Sequence, residues 1–372
     1  MADAFDVVIA GGGPAGMAAA IELAPALAVA VIDPGSPRRV HGETLAPDCR
    51  PLLTRLGVYD AFLHGGHARC EGTMAAWGAA EVRFTDYLLH PERHGWRIDR
   101  DAFDRMLASE AARRGATLVQ ASVHDVRRDG EGWLVTTDDR EISARLIVDA
   151  TGRHAAIARR LGARKLVSDQ LVGIAGLLEP SGAIEYAPFP LIEARADGWI
   201  YSAVVPNGDV VVVAMTDSDI AHASDLHDAG EWQRWIDDAS QTRLRTAGAR
   251  LRGNIAVASA SSHRLDPIAG DHWLAAGDAA AAFDPLSSQG ITSSLRGGID
   301  AASAILAGSA AAITEYAQTI TAGYDAYLIT RSLYYAMERR WPSSPFWQRR
   351  VPQITHDVTR SRRSADDADV RR

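Results

Sequence analysis

Three glycines spaced as Gly11-x-Gly13-x-x-Gly16 form the first group of residues whose types and spacing could do chemistry. They follow an apolar run at residues 5–10 that is typical of a buried strand, and they open a helical run. Gly11 would permit a tight turn, Gly13 would let a pyrophosphate approach the backbone, and Gly16 would let helix and strand pack closely. Asp33 ends the next apolar run, near the position of an acid that bonds a ribose. With Pro14 and Ala15 these residues predict a βαβ unit that binds a dinucleotide, either NAD or FAD.

Two later groups of residues favour FAD. Gly277-Asp278 ends a buried run far downstream, and Asp284-Pro285 and then Gly290-Ile291 follow it at the start of a helix. Asp278 can accept a hydrogen bond from a ribityl hydroxyl, and the amides of Gly290 and Ile291 can stabilise negative charge on a reduced isoalloxazine. The third group, Asp149-Ala150-Thr151-Gly152, predicts a tight turn at a strand end against the cofactor.

The three motifs together resemble those of the para-hydroxybenzoate hydroxylase-like flavoproteins, in which FAD lies across a Rossmann domain and a sheet-bearing substrate domain. A narrower resemblance, to the tryptophan-halogenase-like monooxygenases, covers nearly the whole chain to about Arg350. It depends on the stretches 42–47, 95–104, 284–290 and 340–347. That group includes flavoproteins that modify a tryptophan of a partner protein during quinone-cofactor biogenesis.

Two departures from true flavin halogenases bear on the expected reaction. The resemblance places a catalytic Glu of those enzymes at Ser287 in this chain. It also implies a lysine after the Gly42-Glu43 motif that orients hypochlorous acid, yet no lysine occurs between Glu43 and Lys165. Their tryptophan-rich signature is reduced here to the stretch Trp199 to Pro206. The resemblance therefore implies hydroxylation by the flavin itself rather than halogenation.

The activity that this implies is that of an FAD-dependent monooxygenase. NAD(P)H would reduce the FAD, O2 would add to give a C4a-hydroperoxide, and its distal oxygen would attack an aromatic ring. The expected substrate is an indole, free or as a tryptophan within a protein or peptide. The chain has no second dinucleotide fingerprint, so nicotinamide would bind transiently. Three alternatives stay open: an aromatic hydroxylase of secondary metabolism, a flavin reductase resembling the geranylgeranyl reductases, and a flavoprotein accessory factor without catalysis.

The predicted site residues fall into two sets. Ser287, Gln289 and His263 are the predicted catalytic residues, although His263 could instead serve in structural hydrogen bonding. The predicted cofactor contacts are Gly11, Gly13, Pro14, Ala15, Gly16, Asp33, Arg39, Arg50, Arg100, Val123, Asp149, Gly152, Asp278, Pro285, Gly290 and Ile291.

Other groups of suggestive residues are interpreted as structural. His64, His67 and Cys70 have the spacing of a metal site, but Gly65-Gly66 interrupts them and no fourth ligand is near, so no metal is predicted. Arg39 and Arg50 are as compatible with solvated positions as with the cofactor, and Arg100 with a local bond at a helix start. Trp341, Phe346 and Trp347 are expected to pack a carboxy-terminal helix rather than to cage a substrate.

The elements that must position these residues predict an α/β fold. It consists of a Rossmann-type FAD-binding domain, an interleaved antiparallel β-sheet substrate domain and carboxy-terminal helices. Asn207-Gly208 predicts a hairpin within the antiparallel layer, and Asp99 caps a predicted helix that Gly115 ends. The predicted division is 1–65, 97–165 and 255–310 for the FAD domain, 66–96 and 166–254 for the substrate domain, 311–358 for the helices and 359–372 for a disordered tail.

Composition excludes several classes of protein. The chain has 372 residues, 47% of them hydrophobic, and a net charge of −8, which argues against disorder and against nucleic acid as a partner. Cys49 and Cys70 are its only cysteines, too few for a disulfide framework. No apolar run is long enough to span a membrane and no signal segment is evident, so a cytoplasmic enzyme is expected.

Overall fold

A computed structural model describes residues 3–35, 44–184 and 188–350. In chain order its strands are β1 (Asp3–Ala10), β2 (Val29–Asp33), β3 (Thr44–Leu45), β4 (Ala68–Cys70), β5 (Gly72–Ala76), β6 (Arg83–Asp86), β7 (Gly95–Arg97), β8 (Thr117–Gln120), β9 (Val123–Asp129), β10 (Gly132–Thr137), β11 (Glu141–Asp149), β12 (Arg164–Val167), β13 (Leu171–Glu179), β14 (Leu191–Arg195), β15 (Gly198–Val204), β16 (Val210–Asp217), β17 (Arg250–Ser259), β18 (His263–Asp266), β19 (Ala269–Gly270), β20 (Trp273–Ala275) and β21 (Ala281–Ala282). Its helices are α1 (Pro14–Leu23), α2 (Cys49–Arg55), α3 (Tyr59–Leu63), α4 (Arg100–Arg113), α5 (Ala156–Arg160), α6 (Ser218–Ala223), α7 (Ala229–Asp237), α8 (Ser240–Thr246), α9 (Gly290–Leu306), α10 (Ala310–Ala336) and α11 (Pro345–Gln348).

A parallel sheet carries the glycine-rich turn. Its strand order is β19-β20-β11-β1-β2-β8, and β20, β11, β1, β2 and β8 run parallel. These strands come from distant parts of the chain, as the sequence predicts for a doubly wound sheet. The antiparallel strands β9 and β10 continue from β11. Because the carboxyl ends of β1, β2 and β11 lie side by side, the turns that follow them meet at one edge.

Helices α1, α4 and α9 contribute to the core beside this sheet. Helix α1 begins at Pro14 rather than later, because proline at the first helical position has a preset φ and no unsatisfied amide. A Cβ on Gly298 would lie 2.1 Å from the backbone oxygen of Ala15, so glycine at this position lets α9 approach α1 closely. The predicted cap of α4 is confirmed, since the Asp99 carboxylate accepts a 2.8 Å bond from the amide of Ala102.

A seven-stranded sheet forms the second layer, in the order β17-β13-β16-β15-β14-β5-β6. It is antiparallel as predicted except for the parallel pairing of β14 with β5. The Asn207-Gly208 turn joins β15 to β16, and Gly208 has a φ of +92°. Helices α6 to α8 between β16 and β17 were not predicted. The buried tryptophans Trp232 and Trp235 of α7 pack on the face of this sheet away from the FAD motifs.

The carboxy-terminal segment packs against the other face of the same sheet. Tyr335 of α10 and Phe346 and Trp347 of α11 are buried in one cluster with Trp199 of β15. This agrees with the expectation that the aromatic residues near the end of the chain serve in packing. No helix among the described residues is long and apolar enough to cross a membrane. The division into domains remains a prediction, and the expected tail lies outside the described residues.

Candidate active site

One cavity of about 800 Å³ joins the glycine-rich turn to the seven-stranded sheet. Its volume is within the range of small-molecule and cofactor pockets, ~300–1,000 Å³. The turns after β1, β11 and β20 line one part, and residues of β13, β15, β16 and β17 line the other. The three motifs that the sequence predicts for FAD therefore face one continuous space.

The end of the cavity at β1 has the features that an anionic dinucleotide requires. Gly13, Pro14 and Ala15 line it at the N-terminus of α1, where the helix dipole favours negative charge. Gly11 has a φ of +106°, which favours glycine, so its predicted role in the turn is supported. Asp33 lines the cavity and accepts a 2.6 Å bond from the amide of Gly12, which ties β2 to the turn.

Positions without a side chain leave room along the cavity wall. A Cβ added to Gly152 or Gly290 would meet nothing within 4 Å, and both glycines line the cavity. Gly290 and Ile291 begin α9, so a second helix N-terminus faces the same space. Two helix N-termini, an acid at the end of β2 and these open glycines are a chemically suitable set for FAD.

Asp278 and Arg153 place opposite charges on the wall. Asp278 lines the cavity as predicted, and its carboxylate lies 3.5 Å from Nε of Arg153. The Arg153 guanidinium also donates 2.7 Å bonds to the backbone oxygens of Ser261 and Phe283. Arg153 thus joins the turn after β11 to the segments around β18 and β21.

A buried network anchors the loop between β21 and α9. The carboxylate of Asp284, 1% exposed, accepts bonds from the amide of Leu286 at 2.9 Å and from the hydroxyl of Tyr335 at 2.8 Å. It also pairs with Arg331 at 3.2 Å, and Trp199 donates through Nε1 to the Tyr335 hydroxyl at 3.0 Å. Burial, and then Asp284, raise the pKa of Tyr335 well above its ordinary value, so this hydroxyl stays protonated and can donate. The loop is therefore held from the sheet side of the cavity.

The sheet presents a face of small, aliphatic and aromatic side chains to the cavity. Two rows of neighbours across the strands provide it. These rows are Ala258-Gly173-Met215-Trp199 and Ala256-Ala175-Val213-Tyr201, of which all but Ala256 line the cavity. The small residues lie on β17 and β13 and the aromatic ones on β15, so the space widens toward β17.

The three predicted catalytic residues are not among the residues that line the cavity, and their catalytic roles stay predictions. Ser287 turns its hydroxyl to the backbone oxygen of Asp284 at 2.9 Å, and Gln289 is the residue before the first turn of α9. His263 is fully buried in β18, and burial, followed by Lys165 and Arg153, lowers its pKa to about 4. The imidazole is therefore neutral at pH 7, and its role, at the site or in structural hydrogen bonding, stays a prediction.

The predicted cofactor-binding residues include some that line the cavity and some that do not. Gly11, Gly13, Pro14, Ala15, Asp33, Arg100, Val123, Gly152, Asp278, Pro285, Gly290 and Ile291 line the cavity. Asp149, Gly16 and Arg50 do not line it, and their direct contact with a cofactor stays a prediction. Arg39 lies outside the described residues.

Each of these three has another contact that explains its position. Asp149 is fully buried, and its carboxylate accepts bonds from the amides of Thr151, Ile157 and Ala158, so it shapes the turn. Gly16 serves close packing, because a Cβ there would lie 2.0 Å from the oxygen of Gly11. Arg50 pairs with Glu92 at 2.9 Å.

Sequence reasoning missed several lining residues. Arg153 and His154 directly follow the turn at Gly152, and Trp199 and Tyr201 lie on β15. The alternation of Trp199 and Tyr201 along a strand was a usable signal, because residues two apart on a strand face the same side. Gly173 and Met215 carry no comparable signal, since only the pairing of distant strands brings them to the cavity.

No charged clamp for a free amino acid lines the sheet side of the cavity in the described residues. Glu193 instead accepts bonds from the amides of Gln241 and Thr242 at the start of α8. Arg195 lies over the ring of Trp235, and Arg97 donates to the backbone oxygen of Val204 at 2.7 Å. The charged groups of Glu193, Arg195 and Arg97 therefore contact other parts of the protein.

Comparison with known proteins places this fold and site in a family. A family model described as tryptophan halogenase matches residues 68–366. The chain belongs to the tryptophan halogenase family. It is accordingly an FAD-dependent oxidoreductase-type enzyme, as the motifs predict.

Curated relatives of this tryptophan halogenase family member include a putative oxidoreductase and a halogenating enzyme. It is 27% identical over 361 residues to the putative FAD-dependent oxidoreductase LodB of Marinomonas mediterranea, covering 94% of this chain and 97% of LodB. It is 28% identical over 317 residues to a 1H-pyrrole-2-carbonyl-peptidyl-carrier-protein brominase of Pseudoalteromonas luteoviolacea, covering 81% and 77% of the two chains.

Solved structures share the fold. The myxobacterial chondrochloren halogenase CndH superposes with a TM-score of 0.87 at 24% identity, covering 98% of this chain and 90% of that chain. The peptidyl tryptophan dihydroxylase QhpG, essential for tryptophylquinone cofactor biogenesis, superposes with a TM-score of 0.71 at 25% identity, covering 93% and 78%. The same fold thus accompanies both halogenation and hydroxylation in these proteins.

Proposed function

We propose that the protein is an FAD-dependent monooxygenase that hydroxylates the indole ring of a tryptophan held in a polypeptide. One observation carries the proposal: a single cavity joins the three FAD motifs to a sheet face of small, aliphatic and aromatic residues. The sheet residues that line it include no carboxylate, ammonium, guanidinium or imidazole group. Such a face suits an aromatic ring and offers nothing to a charged substrate.

The absence of a clamp on the sheet side favours a tryptophan within a chain over the free amino acid. Free tryptophan carries an ammonium and a carboxylate, and burying both without partners costs several kcal/mol. A tryptophan within a polypeptide has neither charge beside its indole. The similarity to QhpG, a peptidyl tryptophan dihydroxylase, supports the same substrate class.

The residues present fit FAD, which, once reduced by transiently bound NAD(P)H, would activate O2 so that one oxygen atom enters the ring and the other leaves as water. The N-termini of α1 and α9 would hold its anionic groups, and Asp33 would bond a ribose. Asp284 and Tyr335 keep the loop before α9 in place. The aromatic residues of β15 would orient the substrate ring and exclude water from it.

Halogenation is the second candidate, because the family and several of its curated members are named for it. Against it, Lys165 is the only lysine of the chain. It does not line the cavity, and its Nζ donates a 2.7 Å bond to the backbone oxygen of Arg153. A halogenase that uses a lysine to orient hypohalous acid would need that amine at the substrate. We therefore place hydroxylation first.

The two candidates differ in what they consume. The FAD-loaded protein would be incubated with a chemical flavin reductant, O2 and a tryptophan-containing polypeptide, with and without chloride or bromide. Hydroxylation predicts a mass gain of oxygen, labelled when 18O2 is used and independent of halide. A halogen isotope pattern that appears only with halide would replace this proposal with halogenation. Efficient oxidation of free tryptophan with no change in the polypeptide would replace the substrate class.

A further inference from the structure

Strand β17 is an edge strand of the seven-stranded sheet and a rim of the cavity. It pairs only with β13 among the described residues. Ala258 and Ser259 line the cavity and are themselves exposed, so the cavity opens to solvent along this edge. The other edge strand, β6, contributes no lining residue.

The hydrogen-bonding direction along β17 follows from the ladder. Val172 of β13 is opposite Ser259 of β17, so Leu171 is opposite Ala260. The amide of Ala260 donates to the backbone oxygen of Leu171, which makes these two residues a hydrogen-bonded pair. Because inward and outward bonding alternate in an antiparallel ladder, Ala258 bonds toward β13. Val257 and Ser259 then direct their amides and carbonyls away from the sheet.

The half of β17 next to the cavity lacks the usual protection of an edge. The first half carries Arg250 and Arg252, and its register with β13 shifts between Arg252 and Ala256, beside Gly253 with a φ of +73°. Residues 254–259 contain no charge and no proline, and Val257 is 51% exposed. Charged residues, prolines and bulges are the devices by which natural edges avoid pairing, so this half is open to an added strand.

We propose that an extended segment of the substrate polypeptide pairs antiparallel with residues 257–259 of β17 and directs its tryptophan, opposite Ala258, into the cavity. This inference rests on the proposed function. A residue opposite Ala258 would form a non-hydrogen-bonded pair, in which side chains lie closest and point to the same face of the sheet. That face continues over Gly173, where the Met215 sulfur and the Val213 side chain would lie 3.2 and 3.3 Å from an added Cβ, so the indole would pack at the rim against Met215.

Antiparallel pairing would continue the geometry of β17, β13, β16 and β15. It also predicts different roles for the backbone amides of neighbouring residues in the substrate segment. The two residues that flank the tryptophan would be opposite Val257 and Ser259 and would exchange backbone bonds with them, whereas the amide of the tryptophan itself would point to solvent.

The probe is a fluorescein-labelled peptide, Ser-Thr-Val-Thr-Trp-Thr-Val-Thr-Ser, whose binding to the FAD-loaded protein is measured by anisotropy. N-methylation of a threonine next to the tryptophan is expected to weaken binding about tenfold, because one backbone bond is lost and its partner is left unpaired. N-methylation of the tryptophan amide is expected to change binding less than about twofold. The reverse pattern, or equal effects, would overturn the antiparallel register.

A matched pair of protein variants tests the same contact from the other side. Val257→Pro removes an outward amide without taking a donor from the ladder with β13, and proline is tolerated at such edge positions. Val257→Thr keeps the amide and the size of the side chain. We expect Val257→Pro to weaken peptide binding about tenfold and Val257→Thr to leave it near that of the wild type. FAD content and the melting temperature establish that both variants fold.

The failures of the two proposals are distinguishable. If the wild type binds and hydroxylates the peptide, and Val257→Pro does so equally well, edge pairing is wrong and the proposed function stands. If the wild type holds FAD and oxidises a small indole but neither binds nor modifies the peptide, the polypeptide substrate class and the edge pairing both fail.

Discussion

Tyr335 is the residue through which the sheet and the loop before α9 are connected, and removing its hydroxyl tests that connection. The side chain is fully buried. Its hydroxyl donates to Asp284 at 2.8 Å and accepts from Trp199 Nε1 at 3.0 Å. Tyr335→Phe deletes both bonds and keeps the ring that packs against Phe346 and Trp347.

The expected loss of stability follows from the hydrogen bonds that Trp199 and Asp284 keep when the Tyr335 hydroxyl is removed. Trp199 is 1% exposed, so its indole N–H would be left buried without a partner, at a cost of about 1–3 kcal/mol. Asp284 keeps the bonds from Leu286 and Arg331 but loses a charge-assisted bond, at a cost of about 1–2 kcal/mol. The sum, about 3 kcal/mol, is large against the ~5–15 kcal/mol of a typical domain.

Urea unfolding of the FAD-free protein, followed by tryptophan fluorescence, measures this loss. Tyr334→Phe is the matched control, because the neighbouring side chain is 56% exposed and is expected to change stability by less than about 0.5 kcal/mol. The anchoring also predicts weaker FAD binding in Tyr335→Phe. A loss below about 0.5 kcal/mol in Tyr335→Phe, equal to that of the control, would refute the view that this network holds the loop.

Three further predictions concern other parts of the site. His263 has a pKa of about 4 in the folded chain against ~6.5 when unfolded, so the unfolded chain takes up a proton first as the pH falls. The free energy of unfolding should therefore decrease by about 3 kcal/mol between pH 6.5 and pH 4. Replacing His263 with glutamine should flatten this part of a profile of stability against pH, and an unchanged profile would contradict the prediction. Gly290→Val should fold, because an added Cβ meets nothing within 4 Å, and should bind FAD more weakly, because Gly290 lines the cavity at the start of α9; Gly182→Val, equally open but outside the cavity lining, should retain FAD by absorbance. Lys165→Met should retain FAD and should hydroxylate equally with and without halide, as measured by mass spectrometry; loss of the oxygenated product with FAD retained would assign Lys165 a role at the site.

The parallel sheet and its cofactor turns could be predicted because their determinants are local. Gly11 follows a strand, begins a turn and needs a positive φ, and all three facts are visible in a short stretch of sequence. The same holds for Asp99, whose side chain caps a helix three residues on. Motifs of this kind fix the position of a residue through its immediate neighbours.

The side-chain directions of the predicted catalytic residues could not be predicted, because a motif specifies backbone shape better than side-chain direction. Ser287 follows Asp284 and Pro285 in a tight turn, so its hydroxyl bonds back to that turn instead of facing the cavity. His263 is close in space to the cofactor motifs, but β18 directs its ring into the protein. Which side of a short strand faces a cavity depends on pairing with a distant strand, and no local pattern encodes it.

The wall opposite the cofactor motifs depends even more on distant pairing. Gly173, Met215 and Trp199 are neighbours only because β13, β16 and β15 pair in one register, and a shift by one residue would turn all three away from the cavity. Trp199 is in turn bonded to Tyr335, and Tyr335 to Asp284, so the substrate wall and the cofactor loop share one buried anchor. A change of register in the sheet would therefore disturb the cofactor loop as well as the substrate wall. The buried anchor formed by Trp199, Tyr335 and Asp284 therefore couples the position of the sheet face to that of the loop before α9.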